Sequence, residues 1–161
     1  MTQLQISDNA AQDPAASSGA RLQALLVGLG NEIFAIEADI VREIIDPVPA
    51  TRVAGARTFL PALINVRGNV IPLADLRLRF GMPRRTDTTD SRIVVVEIEI
   101  DGDSVALGIM ADKVYEVTEI STAEVQQVPR LGLHWRPEFI RSIIKWNDEF
   151  VIVPDLEKIL S

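Results

Sequence analysis

Residues 139 to 156, set beneath residues 59 to 76, match them without a gap: Phe59 falls over Phe139, Ile64 over Ile144, Gly68 over Asp148, Asp75 over Asp155 and Leu76 over Leu156. Upstream of that stretch, Asp39-Ile40-Val41-Arg42-Glu43-Ile44 aligns with Asp112-Lys113-Val114-Tyr115-Glu116-Val117. A chain that repeats itself in this way is expected to fold as two copies of one plan. The copies run from 22 to 80 and from 92 to 160, and the polar, turn-rich stretch 81 to 91 (GMPRRTDTTDS) links them.

Each copy reads as hairpins. Apolar residues from Ala24 lead to a turn at Leu29 to Glu32 and a second run from Ile33 to Ile36; Leu63 to Val66 and Val70 to Leu73 flank Arg67-Gly68-Asn69. In the second copy Val96, Ile98 and Ile100 alternate with Glu97, Glu99 and Asp101 before Asp101-Gly102, the clearest hairpin signal in the chain. The last hairpin is SIIKWNDEFVIVPDL. Gly68 supplies the positive φ that its turn needs.

Both copies end in Asp-Leu. An aspartate there accepts hydrogen bonds from the free N–H groups of a first helical turn, so Asp75 and Asp155 should start short helices. In the second, Leu156, Ile159 and Leu160 share one face, which predicts a short C-terminal helix packed on the strands. A sheet of 60 to 70 residues buries little by itself, so the fold class expected is all-β, with two small barrels sharing one apolar core.

Composition removes several function classes. A net charge of −7 disfavours nucleic acid, whose partners carry a basic stripe. Hydrophobic residues make up 47% but aromatics only 5%, which suits a Val, Ile, Leu and Ala core better than a base-stacking surface. There is no cysteine, which excludes disulfides and thiolate chemistry and fits a reducing cytosol. Residues 1 to 20 lack a basic residue and a long apolar run, so they read as a disordered tail, either a solvated extension or a docking motif, and not as a signal peptide or anchor.

Little points to catalysis. The single histidine, His134, sits in LGLHWRPEF without triad partners and reads as a loop residue. GLGNE at 28 to 32 lacks the third glycine of a dinucleotide loop, and a strand follows it. Asp39, Asp75, Asp112 and Asp155 occupy repeat-equivalent positions, which favours capping and turn-making over acid–base or magnesium chemistry. No cofactor or metal is expected.

What the repeat does not require is more informative. Arg67 faces Asn147 in the alignment, so the hairpin plan does not demand arginine there, whereas Glu43 has a counterpart in Glu116. Arg67 is either a solvated turn residue or the partner of Glu43 at a docking surface. Val41 fits the core or an apolar flank of that surface equally well.

These residues carry a family resemblance. V-R-E-I at 41 to 44, I-N-V-R-G-N-V-I-P-L-A-D-L-R at 64 to 77, R-I-V-V-V at 92 to 96 and G-I-M-A-D-K-V at 108 to 114 resemble the CheW domain in order and spacing, over about residues 22 to 160. The resemblance implies two intertwined SH3-like five-stranded barrels around a shared core. It also implies a non-enzymatic cytoplasmic adaptor that binds the tip of chemoreceptors and the regulatory domain of the histidine kinase CheA, meeting the membrane only through receptors. By position it makes Val41, Glu43, Asn65, Arg67 and Gly68 the protein-binding residues. An adaptor of a pilus-motility or surface-sensing pathway, or one without kinase coupling, fits the same pattern. The chain departs from the family at Pro61-Ala62, where Lys and Gly are usual, at Ser142, where glycine is common, and at the bulky Trp146. Pro61-Ala62 is expected beside the groove.

Overall fold

The computed structural model describes residues 21–56, 60–83, 86–121 and 137–160. The hairpins appear where the turn residues place them. β1 (Arg21–Leu29) and β2 (Glu32–Glu37) form the first; a single 3-10 turn, Ala38–Ile40, leads into β3 (Val41–Ile45) and then the short β4 (Ala50–Arg52). β5 (Ala62–Val66) and β6 (Asn69–Ala74) form the second hairpin, followed by helix α1 (Leu76–Arg79). The C-terminal half repeats the order with β7 (Arg92–Ile100), β8 (Asp103–Ala111), β9 (Lys113–Ser121), β10 (Ile140–Trp146), β11 (Glu149–Pro154) and α2 (Leu156–Leu160).

The strands form two mixed sheets, ordered β9-β1-β2-β11-β10 and β3-β7-β8-β6-β5-β4. Each sheet therefore takes its central hairpin from one half of the chain and its flanks from the other. The joints are parallel: β11 lies beside β2 with Val151 opposite Ile33, and β6 lies beside β8 with Leu73 opposite Gly108. This goes beyond two barrels leaning on a common core, because neither half holds all the strands of a sheet. The second sheet has six strands because exposed β4 adds to β5; the corresponding stretch of the second half falls outside the described residues.

The exchange explains why β1 and β7 are apolar on both faces at their cores, Ala24 to Leu29 and Ile93 to Val96. Side chains alternate across a strand. In β1, Ala24 and Leu26 point into the five-stranded sheet's own interior, with Ile33, Ile144 and Val151. Leu25 and Val27 point into the central core, where Val94, Val96, Leu107, Ile109 and Ile152 meet them. In β7, Ile93 and Val95 face the six-stranded sheet's interior. The shared core expected from the sequence is thus flanked by two smaller ones.

Both helices close the central core. Asp75 Oδ1 accepts from the N–H of Arg77, 3.1 Å away, and Asp155 Oδ1 accepts from the N–H of Lys158 at 3.2 Å, so both aspartates cap as their sequence positions suggest. Leu156, Ile159 and Leu160 are buried. Phe80, just after α1, stacks on Phe34 at 5.4 Å and meets Phe139 edge-on at 6.4 Å.

A buried ionic cluster sits at the base of α1. Arg77 donates to Asp75 through Nε (2.8 Å) and Nη2 (3.0 Å) and to Asp112 through Nη1 (2.7 Å), with only 3% of its side chain exposed. Asp112 also accepts from the backbone N–H of Gly30 at 2.7 Å, while its own N–H donates to Gly28. The cluster joins α1, the β8–β9 corner and the β1–β2 turn across the two halves. The hydrogen bonds of Asp75 lead in holding the Arg77 guanidinium above its ordinary pKa; burial opposes them, and the charges of Asp75 and Asp112 add to them.

Two substitutions test this packing. A Cβ on Gly108 would lie 2.8 Å from Ile93 Cγ2 and 3.1 Å from Ile64 Cδ1, so Gly108→Ala should cost about 1–3 kcal/mol in urea unfolding. Arg77→Leu strands the fully buried Asp75 and should cost about 3–5 kcal/mol, whereas Asp112→Asn, which leaves Arg77 paired with Asp75, should cost clearly less. Equal losses for the two would contradict a cluster centred on Arg77 and Asp75.

Candidate functional site

Two residues, Arg67 and Gly68, join β5 to β6 with φ of +53° and +85°. Positive φ at both positions is a type I′ turn, whose twist matches the strands it connects. Two other hairpins turn in the same way, at Asp101-Gly102 (+54° and +85°) and at Asn147-Asp148 (+48° and +63°). Asp and Asn tolerate the left-handed region; a long side chain such as arginine gains nothing there. The sequence comparison shows only that the hairpin does not demand arginine. The backbone shows that the hairpin is better served by another residue.

Arg67 reaches Glu43 across the opening of the six-stranded sheet. Its Nε lies 3.2 Å from Oε1 and 3.1 Å from Oε2, and its Nη2 lies 3.1 Å from Oε1. Glu43 stands on the outer strand β3 and Arg67 on the turn at the far flank, so the pair brackets the curled sheet. The side chains are 77% and 27% exposed, so solvent screens the pair and its value lies in geometry more than in folding stability. The hydrogen bonds to Glu43 come first, and its charge second, in raising the Arg67 pKa above the ordinary value.

Among the other predicted site residues, Asn65 lies on the outward side of β5, and its Oδ1 accepts from the N–H of Gly68 at 3.0 Å. Gly68 has open space where a Cβ would stand, and its φ alone requires glycine. Val41 begins β3 half-buried, with one side packed against the central core and the remainder reaching the surface. The structure thus joins Glu43 with Arg67 and Asn65 with Gly68, while Val41 shares β3 with Glu43 and is half-buried.

Exposed apolar side chains stand on the same strands: Ile44 follows Glu43 on β3 and points to that strand's other face, and Leu63 and Val70 lie on the outward side of the β5–β6 hairpin. Sequence reasoning missed them because Leu63 and Val70 lie inside apolar runs. The available signal was Asn65, which marks the outward parity of β5: Leu63 shares its face, and Val70 is its cross-strand partner. Arg77 was also missed, although the asymmetry that singled out Arg67 applies to it, since its counterpart is Glu157.

Pro61-Ala62 proves less disruptive than its sequence position suggests. Ala62 opens β5 and is buried, and the carbonyl of Pro61 accepts from Val53 at 3.1 Å. Five residues of extended strand, about 16 Å at the usual rise, separate Ala62 from Arg67, so the departure lies at the other end of the strand from the ion pair. Ser142 is buried in β10, its hydroxyl without a hydrogen-bond partner among the described residues, and Trp146 packs half-buried on the five-stranded sheet's interior. His134 and Phe59 fall outside the described residues.

Asp75, Asp112 and Asp155 are held by caps and by Arg77, which leaves none of them poised as a general base. Among the described residues no group of three or more His, Asp or Glu could hold a metal ion, and no helix is long and apolar enough to cross a membrane.

Comparison with known proteins agrees with this geometry. A model of the CheW-like domain matches residues 23–161. The chemotaxis protein CheW of Helicobacter pylori is 33% identical over 132 residues, covering 82% of this chain and 77% of the relative. That of Klebsiella aerogenes is 28% identical over 137 residues, covering 85% and 80%. The crystal structure of the scaffolding protein TtCheW from Thermoanaerobacter tengcongensis superposes with a TM-score of 0.73 at 28% identity, covering 87% of this chain and 92% of that one. Fold, signature and relatives converge: the chain belongs to the CheW family, the non-enzymatic scaffolding and coupling proteins of chemotaxis.

Proposed function

We propose that this protein is a cytoplasmic adaptor that couples the tips of chemoreceptors to the regulatory domain of the histidine kinase CheA, docking through the surface around Val41, Glu43, Asn65, Arg67 and Gly68. The observation that carries the reading is the exposed, three-contact Arg67–Glu43 pair, built on a turn position that suits Asn or Asp better. A residue placed against local preference and exposed to solvent is better explained by what it meets than by what it stabilises.

Leu63 and Val70 add exposed apolar area on the outward side of the hairpin that carries Arg67, the combination that receives the apolar stripe of a partner helix. The ion pair at the edge sets register. With Glu43 holding the guanidinium in one orientation, a partner carboxylate or carbonyl finds the remaining N–H groups already aimed. The family's partners, receptor tip and kinase domain, come to this chain by its membership, and the surface is chemically suited to them.

Arg67→Asn separates binding from folding. Asparagine suits the +53° backbone, so the melting temperature should hold or rise, while affinity for a purified receptor-tip fragment or CheA regulatory domain from the same organism should fall roughly tenfold, as for one central contact. Isothermal titration calorimetry of both proteins reads the result. Unchanged affinity for both partners would remove Arg67 from the docking surface; a steep fall in melting temperature with affinity kept would make it structural.

A further inference from the structure

The type I′ turn at Arg67-Gly68 differs in one respect from the two others among the described residues. At Asp101-Gly102 and Asn147-Asp148 the first turn residue is one that accepts the left-handed conformation readily. At Arg67 it is not, and there the turn carries an added support: Asn65, two residues before, accepts the N–H of Gly68 through its side chain at 3.0 Å. The position equivalent to Asn65 in the last hairpin is Lys145, which has no acceptor to offer.

From this we infer that Asn65 is a positioning residue for Arg67: its side-chain carbonyl locks the turn that aims the guanidinium at Glu43, and it acts on a partner through Arg67 instead of by touching it. The inference rests on the docking surface proposed above and divides the labour within it. Asn65 fixes the backbone of Gly68, the backbone carries Arg67 at +53°, and Glu43 takes the guanidinium from the other flank of the sheet. With either support removed, the exposed arginine has little else to hold it, since 77% of its side chain faces solvent. Asn65 itself lies outward on β5 next to Val70, so its amide serves no buried hydrogen bond whose loss would unfold the sheet.

The test combines a readout on the free protein with one on the complex. In the free protein, the Arg67 Nε–H resonance in a nitrogen-15 correlation spectrum should exchange with water several-fold faster in Asn65→Ala than in the parent, and return toward the parent rate in Asn65→Asp, which restores the acceptor. In titrations of the receptor-tip fragment, Asn65→Ala should weaken binding roughly 3- to 10-fold, the range one net hydrogen bond supports, with Asn65→Asp recovering most of it. Placed in an Arg67→Ala background, Asn65→Ala should change affinity no further, because its route to the partner is gone. An equal loss in both backgrounds would show that Asn65 touches the partner directly and would overturn the inference. So would an Arg67 Nε–H signal indifferent to Asn65. If the parent protein does not bind the fragment, the docking proposal fails while the exchange measurement still decides whether Asn65 holds Arg67.

Discussion

Two parallel strand pairs, β2 with β11 and β6 with β8, carry the architecture of this protein. Each joins a strand from one half of the chain to a strand from the other, and without them neither sheet has its full complement. The central core exists because of this exchange. Hairpins β1–β2 and β7–β8 present apolar side chains on both faces, and only the flanking strands of the opposite half cover the face turned away from the shared core. At the β6–β8 joint Gly108 lies beneath Ile93 and Ile64, which leave no room for a Cβ.

Two arginines stand where the halves differ. Arg67 replaces the counterpart of Asn147 and becomes an exposed pair with Glu43; Arg77 replaces the counterpart of Glu157 and becomes a buried tie to Asp75 and Asp112. The same kind of substitution thus has two outcomes, decided by solvent. Buried, the guanidinium needs two carboxylates to offset desolvation, and it fastens one half to the other. Exposed, its pairing contributes orientation more than stability.

Much of this was legible in the sequence, because local chemistry determines it. Asp101-Gly102, Arg67-Gly68 and the Asp-Leu steps at 75 and 155 each specify a turn or cap through residues adjacent in the chain, and the structure forms them there. The parallel joints were not legible, since the residues that meet, such as Ile33 and Val151, lie far apart and no local preference marks them. Burial of Arg77 was hidden because a charge in sequence reads as surface, and only its neighbours in space make it interior. The Glu43–Arg67 pair was foreseeable as a possibility from asymmetry, whereas the outward turn of Leu63 was marked only by polar Asn65 on the same face, within a run that otherwise reads as uniformly apolar. Val41 shows the same limit, since half of it faces a core assembled from both halves.

If exchange of strands is what makes the two halves one folding unit, thermal unfolding of the full chain must be all-or-none. Differential scanning calorimetry tests this most directly. The account predicts a single transition whose calorimetric enthalpy equals its van't Hoff enthalpy, with near-ultraviolet and far-ultraviolet circular dichroism superimposing. Two resolved transitions, or a calorimetric enthalpy well above the van't Hoff value, would show that the two sheets melt independently and would contradict it.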